Sequence, residues 1–183
     1  PERSRRKTTM PRAVAAGVAA LAAALSLLLW IGVGEPAEYN GSFVTRIGEI
    51  QVIEPGEGSR ISLNTDSHLA VEFDSTFRRV RLDRGEAYFD GAPDDERPFV
   101  VETDFGNIVV TGTAFLVRVE EAGLEVTVKE GHVQLQISAA DPEEGHVSIA
   151  LLTAGEVASI ESDGSRRIEP IEEAGHLLRL ARR

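Results

Sequence analysis

Few residues in this chain have a type and spacing that could do chemistry. The four histidines are His68, His132, His146 and His176. No two stand in an H-x-H or H-x-x-x-H spacing, and a jelly-roll metal enzyme needs such a pair followed by a carboxylate. Each is read as a plain surface or strand residue. Asp94, Asp95 and Glu96 put three carboxylates side by side. A calcium ion could use them, but a solvated turn partly neutralised by Arg97 explains the same run. Gly56-Glu57-Gly58-Ser59 is glycine-rich, yet it opens onto a strand pattern and lacks the helix N-terminus that cradles phosphate. Ser59 and Ser67 have no nucleophile motif around them. Glu86 is an isolated carboxylate, read as a structural hydrogen-bonding group. The absence of cysteine excludes disulfides, zinc–thiolate sites and thiol nucleophiles. The reading assigns no catalytic, cofactor-binding or metal residue and no enzymatic activity.

The elements that would position these residues are short strands. Ile50–Val52 and Ile61–Leu63 flank a turn at Pro55–Gly58. Leu69–Phe73, Val80–Leu82, Ala87–Phe89, Phe99–Val101 and Ile108–Val110 follow. Alternation is clearest later: Phe115, Val117 and Val119 share one phase, then Leu124, Val126 and Val128, then Val133, Leu135 and Ile137. A period of two means one buried face and one wet face. Val126→Asp is therefore expected to unfold the domain and Thr127→Asp to be nearly silent. Glu121-Ala122-Gly123, Lys129-Glu130-Gly131 and Asp163-Gly164 read as hairpin connections. Glycine turns are read as opening strands at Gly48, Gly85, Gly131 and Gly155, without a fixed repeat. About ten strands at spacings of 8–12 residues, with no helical period between them, predict an all-β antiparallel jelly-roll-like sandwich. A short β-solenoid is the alternative. From Pro170 the pattern shifts: Ile171, Leu177, Leu178 and Leu180 with Arg179, Arg182 and Arg183 predict a short amphipathic helix within 169–183.

Charge and hydropathy divide the rest. The 183 residues carry a formal net charge of −11. Five of the 19 basic residues and one of the 30 acidic ones lie in positions 1–12, which leaves 14 against 29 and a net −15 on the remainder. Such a body repels a phosphate backbone, so nucleic-acid binding is not expected. Ala13–Val33 is a run of 21 residues without charge. As a helix it would span about 30 Å, the thickness of a bilayer core. Arg3, Arg5, Arg6, Lys7 and Arg12 precede it, and Glu35 and Glu38 follow. The positive-inside rule then puts the N-terminus in the cytoplasm and the body outside. A cleaved signal peptide is the competing reading, but the run is longer than a usual signal core and no A-x-A site follows Trp30. The expected organisation is a basic cytoplasmic stub at 1–12, a transmembrane helix at 13–33, a linker at 34–44, a β domain at 45–168 and a C-terminal tail at 169–183. Because position 1 is proline, the chain is expected to continue something longer on the cytoplasmic side.

Several stretches resemble the FecR family of membrane-spanning regulators. They are Thr45–Glu49, Gly58–Asn64, Arg79–Phe89, Arg97–Val101, Gly112–Phe115 and Val126–Gly131, in family order and spacing across about 45–160. The resemblance implies a periplasmic jelly-roll-like domain after one inner-membrane helix. It implies signalling from an outer-membrane TonB-dependent transporter, often one for iron–siderophore uptake, to an extracytoplasmic-function sigma factor in the cytoplasm. The family's cytoplasmic helical domain is matched at most by 1–12, and its C-terminal domain has no counterpart after Ile168. A different role, as an envelope-anchored binding or scaffold module using the same β domain, is the alternative.

Overall fold

The computed structural model describes residues 38–137 and 148–171. The chain divides into two units, Pro1–Glu35 and Pro36–Arg183, and every described residue belongs to the second. The segments 1–12 and 13–33, and the tail beyond Ile171, lie outside the described residues. Among the described residues no helix is long and apolar enough to cross a membrane.

The described residues form thirteen strands and no helix. They are β1 (Tyr39–Val44), β2 (Gln51–Gly56), β3 (Ser59–Leu63), β4 (His68–Phe73), β5 (Arg78–Asp90), β6 (Phe99–Thr103) and β7 (Gly106–Val110). Then follow β8 (Ala114–Glu120), β9 (Gly123–Glu130), β10 (His132–Ile137), β11 (Ser148–Thr153), β12 (Glu156–Glu161) and β13 (Arg166–Pro170). They make two sheets that share β5. In the first, β1-β4-β5-β6-β7-β10-β11 are neighbours, with β5 contributing Arg78–Arg84. In the second, β2-β3-β5-β8-β9-β12-β13 are neighbours, with β5 contributing Gly85–Asp90.

All pairings are antiparallel except β5 with β6, which is parallel. The all-β expectation holds, and the wholly antiparallel one is corrected at this pair. Antiparallel ladders also rule out the stacked parallel coils of a solenoid. Parallel neighbours normally need a crossover of a dozen residues or more, yet only Gly91–Pro98 joins β5 to β6. The connection suffices because β5 is not straight. Thirteen extended residues would span about 40 Å. The Arg78 guanidinium, however, donates hydrogen bonds to the carbonyl oxygens of Ala92 at 2.8 Å, Arg97 at 2.8 Å and Asp94 at 3.3 Å. An arginine side chain plus two residues of chain reaches about 20 Å, so the two ends of β5 curl toward each other.

Two features produce the curl. Asp83 is an extra residue where β4 pairs with β5, because His68 faces Arg84 while Leu69 faces Leu82. Such a bulge bends the strand that carries it. Two residues on, Gly85 has φ of +90°, a conformation that a Cβ disfavours. A Cβ there would also lie 2.6 Å from the Ser67 Cα and 2.2 Å from its Oγ. Gly85 is thus not a turn before a strand, as expected. Val80–Leu82 and Ala87–Phe89 are one strand rather than two, and Gly85 is its elbow. Ser67 locks the elbow: its Oγ accepts from Glu86 N at 2.9 Å, and its own N–H donates to Thr45 Oγ1 at 3.0 Å.

The core lies between the sheets. Leu69, Val71, Val80, Leu82, Val101, Ile108 and Leu135 from the first meet Ile61, Leu63, Ala87, Val117, Val126 and Ile160 from the second. A row of phenylalanines crosses from one sheet to the other. Phe73 meets Phe99 edge-on at 5.4 Å, Phe99 meets Phe89 at 5.7 Å, and Phe89 stacks on Phe115 at 5.1 Å. Each buried ring contributes about 2–3 kcal/mol by burial alone, with up to about 1 kcal/mol more per aromatic pair.

Three further expectations are corrected. Tyr39–Val44, placed in the linker, is β1 and pairs with β4 along its whole length. Arg166–Pro170 is β13, so strand continues past the start of the expected C-terminal helix. Val126 is buried as predicted, but Thr127 is also buried, at 6% exposure, so its side of β9 is not wet. Thr127→Asp will therefore not be silent.

The elbow generates a prediction. Gly85→Ala should cost several kcal/mol, because strained φ adds to a clash with backbone. Gly48→Ala shares a positive φ of 85° but meets nothing within 4 Å, and should cost only about 1 kcal/mol. Urea unfolding of both variants measures the difference.

Candidate functional site

The residues singled out by type are dispersed by the fold and mostly serve structure. The His68 ring lies 2.9 Å from Asp83 and 3.3 Å from Ser42 Oγ, a strand-to-strand contact on the outer face of the first sheet. His132 is exposed at the start of β10, and His146 and His176 lie outside the described residues. Among the described residues no group of histidine and carboxylate side chains could hold a metal ion.

Asp94 organises its loop from within. Its carboxylate accepts from the N–H groups of Glu96 and Arg97, both at 3.0 Å, and from the Arg97 side chain. The Arg97 backbone bond is the largest of the effects that hold the Asp94 carboxyl below its ordinary range. Arg97 also reaches Glu57 at 2.7 Å and the Asp74 carbonyl oxygen at 3.0 Å. The acidic run is thus an arginine-centred clasp between the β2–β3 turn and the loop before β6. Ser59 is buried and accepts from Ala92 N at 3.1 Å. Sequence reading missed Arg78, which is fully buried. Burial pushes its guanidinium pKa down. Its position beside two strand-like residues resembles an ordinary exposed strand arginine, and only the returning loop shows what it binds.

Glu86 is a hydrogen-bonding group, as read. The residue is 8% exposed on the outer face of the second sheet, and its carboxylate is held there. It accepts from Asn64 Nδ2 at 2.7 Å and from Arg118 Nε at 2.8 Å, with a second, shorter contact to Arg118 Nη2. The pairing is bidentate, and the register puts Glu86 directly opposite Arg118. Burial is the largest single influence and works against the Arg118 charge, but the bond to Glu86 and the charges of Glu86, Glu125 and Glu120 together outweigh it, so the Arg118 pKa is raised.

Surfaces, not catalytic clusters, remain as candidate sites. Val44, Ile47, Ile50 and Val52 are 57%, 88%, 49% and 52% exposed around the β1–β2 connection. Ile149 and Leu151 are each 64% exposed on β11, an edge strand of the first sheet. Exposed aliphatic side chains grouped this way suit contact with another protein, and an unpaired strand edge can accept an added strand. The first sheet is otherwise wet outside. Arg79 bridges to Glu102 at 3.0 Å and Arg81 to Asp83 at 2.8 Å and Asp104 at 2.6 Å, exposed pairs worth little singly.

The half-buried ion pair is the sharper test of this geometry. Arg118→Met should cost about 2–3 kcal/mol, because it strands the Glu86 carboxylate. Adding Glu86→Gln should recover part of that loss, a coupling of about 1 kcal/mol or more in a double-mutant cycle read by denaturation.

Comparison with known proteins completes the site. The FecR protein family model matches residues 42–134. No curated protein matches the chain at a significant level. Two crystal structures of a candidate anti-sigma factor from Parabacteroides distasonis ATCC 8503 share the fold, each with a TM-score of 0.63 at 25% identity. They cover 72% and 71% of this chain, which in turn spans 60% and 59% of theirs. The matched stretch runs from β1 into β10 and includes the elbow, the clasp and the Glu86–Arg118 pair: this chain belongs to the FecR protein family.

Proposed function

We propose that the chain is the signal-receiving part of a membrane-anchored regulator of an extracytoplasmic-function sigma factor. The carrying observation is the FecR match over residues 42–134, with the likeness to a candidate anti-sigma factor in support. In this reading Ala13–Val33 crosses the inner membrane once and residues 1–12 face the cytoplasm. The β domain stands in the periplasm, where its acidic surface and its exposed aliphatic groups meet a protein partner. That partner is an outer-membrane TonB-dependent transporter, in the manner of iron–siderophore uptake systems. The domain works by contact and not by catalysis: the carboxylates and arginines that could do chemistry are already committed to Asp94–Arg97–Glu57 and Glu86–Arg118.

The test is a bacterial two-hybrid assay of the full-length gene product against each extracytoplasmic-function sigma factor of the same genome. One specific interacting sigma factor is the expected result. No interaction with any of them would overturn the reading in favour of an envelope-anchored binding module.

A further inference from the structure

The four sheet edges are not alike. An open edge is a template for another strand unless something guards it. In the second sheet, β2 ends in Glu54 and Pro55 with an irregular register between Ile53 and Gly56, and β13 carries Arg166, Arg167, Glu169 and Pro170. In the first sheet, β1 has no charge, but Asn40 and Gly41 are poor strand formers. The outer face behind β1 is also charged, with Glu72, Arg79 and the His68–Asp83 pair. β11 has none of these guards. Its six residues, Ser148–Thr153, include no charge, no proline and no glycine, and among the described residues β10 is its one sheet neighbour.

The face behind β11 is uncharged as well. The register sets Val109, Gln134 and Leu151 in one outward row and Asn107, Gln136 and Ile149 in the next. Ile149 and Leu151 end these rows, each 64% exposed, while Leu152, of the opposite phase, is buried in the core. Along the same rows charge returns at β6 and β5, with Glu102, Arg79 and Arg81. Outside positions 1–12 the chain carries 14 basic and 29 acidic residues. Two copies therefore repel over most of their surface, and this strip lets them meet without setting like charge against like.

We infer that β11 pairs antiparallel with β11 of a second copy of this chain, about a two-fold axis through Ala150, and so joins two first sheets into one. In that register Ile149 stands opposite Leu151 of the second copy, and Leu151 opposite its Ile149. The row Val109–Gln134–Leu151 of one copy then runs on into Ile149–Gln136–Asn107 of the other. A two-fold contact requires a self-complementary patch, and this one is. An uncharged strip gives a charged foreign strand nothing to select, whereas a second copy brings the same two aliphatic groups at the matching spacing. The free N–H and C=O groups of the edge gain partners in the same step. One strand and its adjoining face are small beside a standard interface of about 1,600 Å², so the dimer exchanges with monomer. The pairing does not rest on the sigma-factor reading, and it leaves Val44, Ile47, Ile50 and Val52 open to other partners.

The chain has no cysteine, so a single Ala150→Cys reports this contact without background. Opposed residues in an antiparallel pair have Cα atoms about 4.5–5.5 Å apart, within disulfide reach. The full chain in detergent, mildly oxidised, should give a covalent dimer on a non-reducing gel. Adding Ile149→Asp and Leu151→Asp sets like charges opposite each other and should slow the reaction at least tenfold. Replacing that pair by Ile149→Asp and Leu151→Lys sets opposite charges face to face and should restore most of the rate. Both positions are exposed, so the fold tolerates charge there. No covalent dimer from Ala150→Cys, a rate untouched by the two aspartates, or no recovery with the aspartate–lysine pair would each overturn the inference. The sigma-factor assay bears on the regulator reading alone.

Discussion

The bend in β5 at Gly85 is the constraint on which the rest depends. One strand serves two sheets, and it does so only by turning at a residue whose φ of +90° and missing Cβ let Ser67 approach. On one side of the elbow Val80 and Leu82 face the core from the first sheet; on the other, Ala87 and Phe89 do so from the second. The short return through Gly91–Pro98, the parallel pairing with β6 and the clasp of Arg78 on three carbonyl oxygens all follow from the curl. A fully buried arginine is costly unless its donors are satisfied. Arg78 meets that condition only when the loop has come home, which ties the two ends of β5 together energetically.

The two sheets have different outsides, and the difference is physical in origin. The first presents Arg79, Arg81, Glu102 and Asp104, long charged side chains that cover a wet surface in exposed pairs. The second presents Tyr88, Leu116 and Thr127, too apolar and too buried for a solvent face. Beside that row Glu86 and Arg118 form a bidentate pair, with Asn64 donating a further hydrogen bond to the carboxylate. What the domain offers outward is shape, acidic charge and a few exposed aliphatic groups, which is the equipment of a contact surface.

Much of this was legible before the structure. The two-residue period over Phe115–Ile137 placed the inner faces of β8, β9 and β10 correctly, because those strands alternate on one buried side. Glu86 reads as a structural hydrogen-bonding group because it is an isolated carboxylate in the sequence. Period alone could not show the elbow: Gly85 between two apolar pairs looks like a turn, and only the pairing of both halves shows a continuous strand. β1 was hidden because Tyr39–Val44 contains Asn40, Gly41 and Ser42, turn-forming residues that here are held by the β4 ladder. Thr127 was misplaced for a different reason. Polar–apolar alternation reports what a side chain is, not how exposed it ends up, and Thr127 is only 6% exposed beside buried Leu116.

The central claim, that β5 is one cooperative strand binding two sheets into one domain, is tested most directly by native-state amide hydrogen exchange along Arg78–Asp90. The account predicts that the protected amides on both sides of Gly85 exchange with the same free energy, and only through global unfolding. If the Val80–Leu82 half and the Ala87–Phe89 half open independently, with clearly different free energies, the two sheets are separate units and the account is wrong.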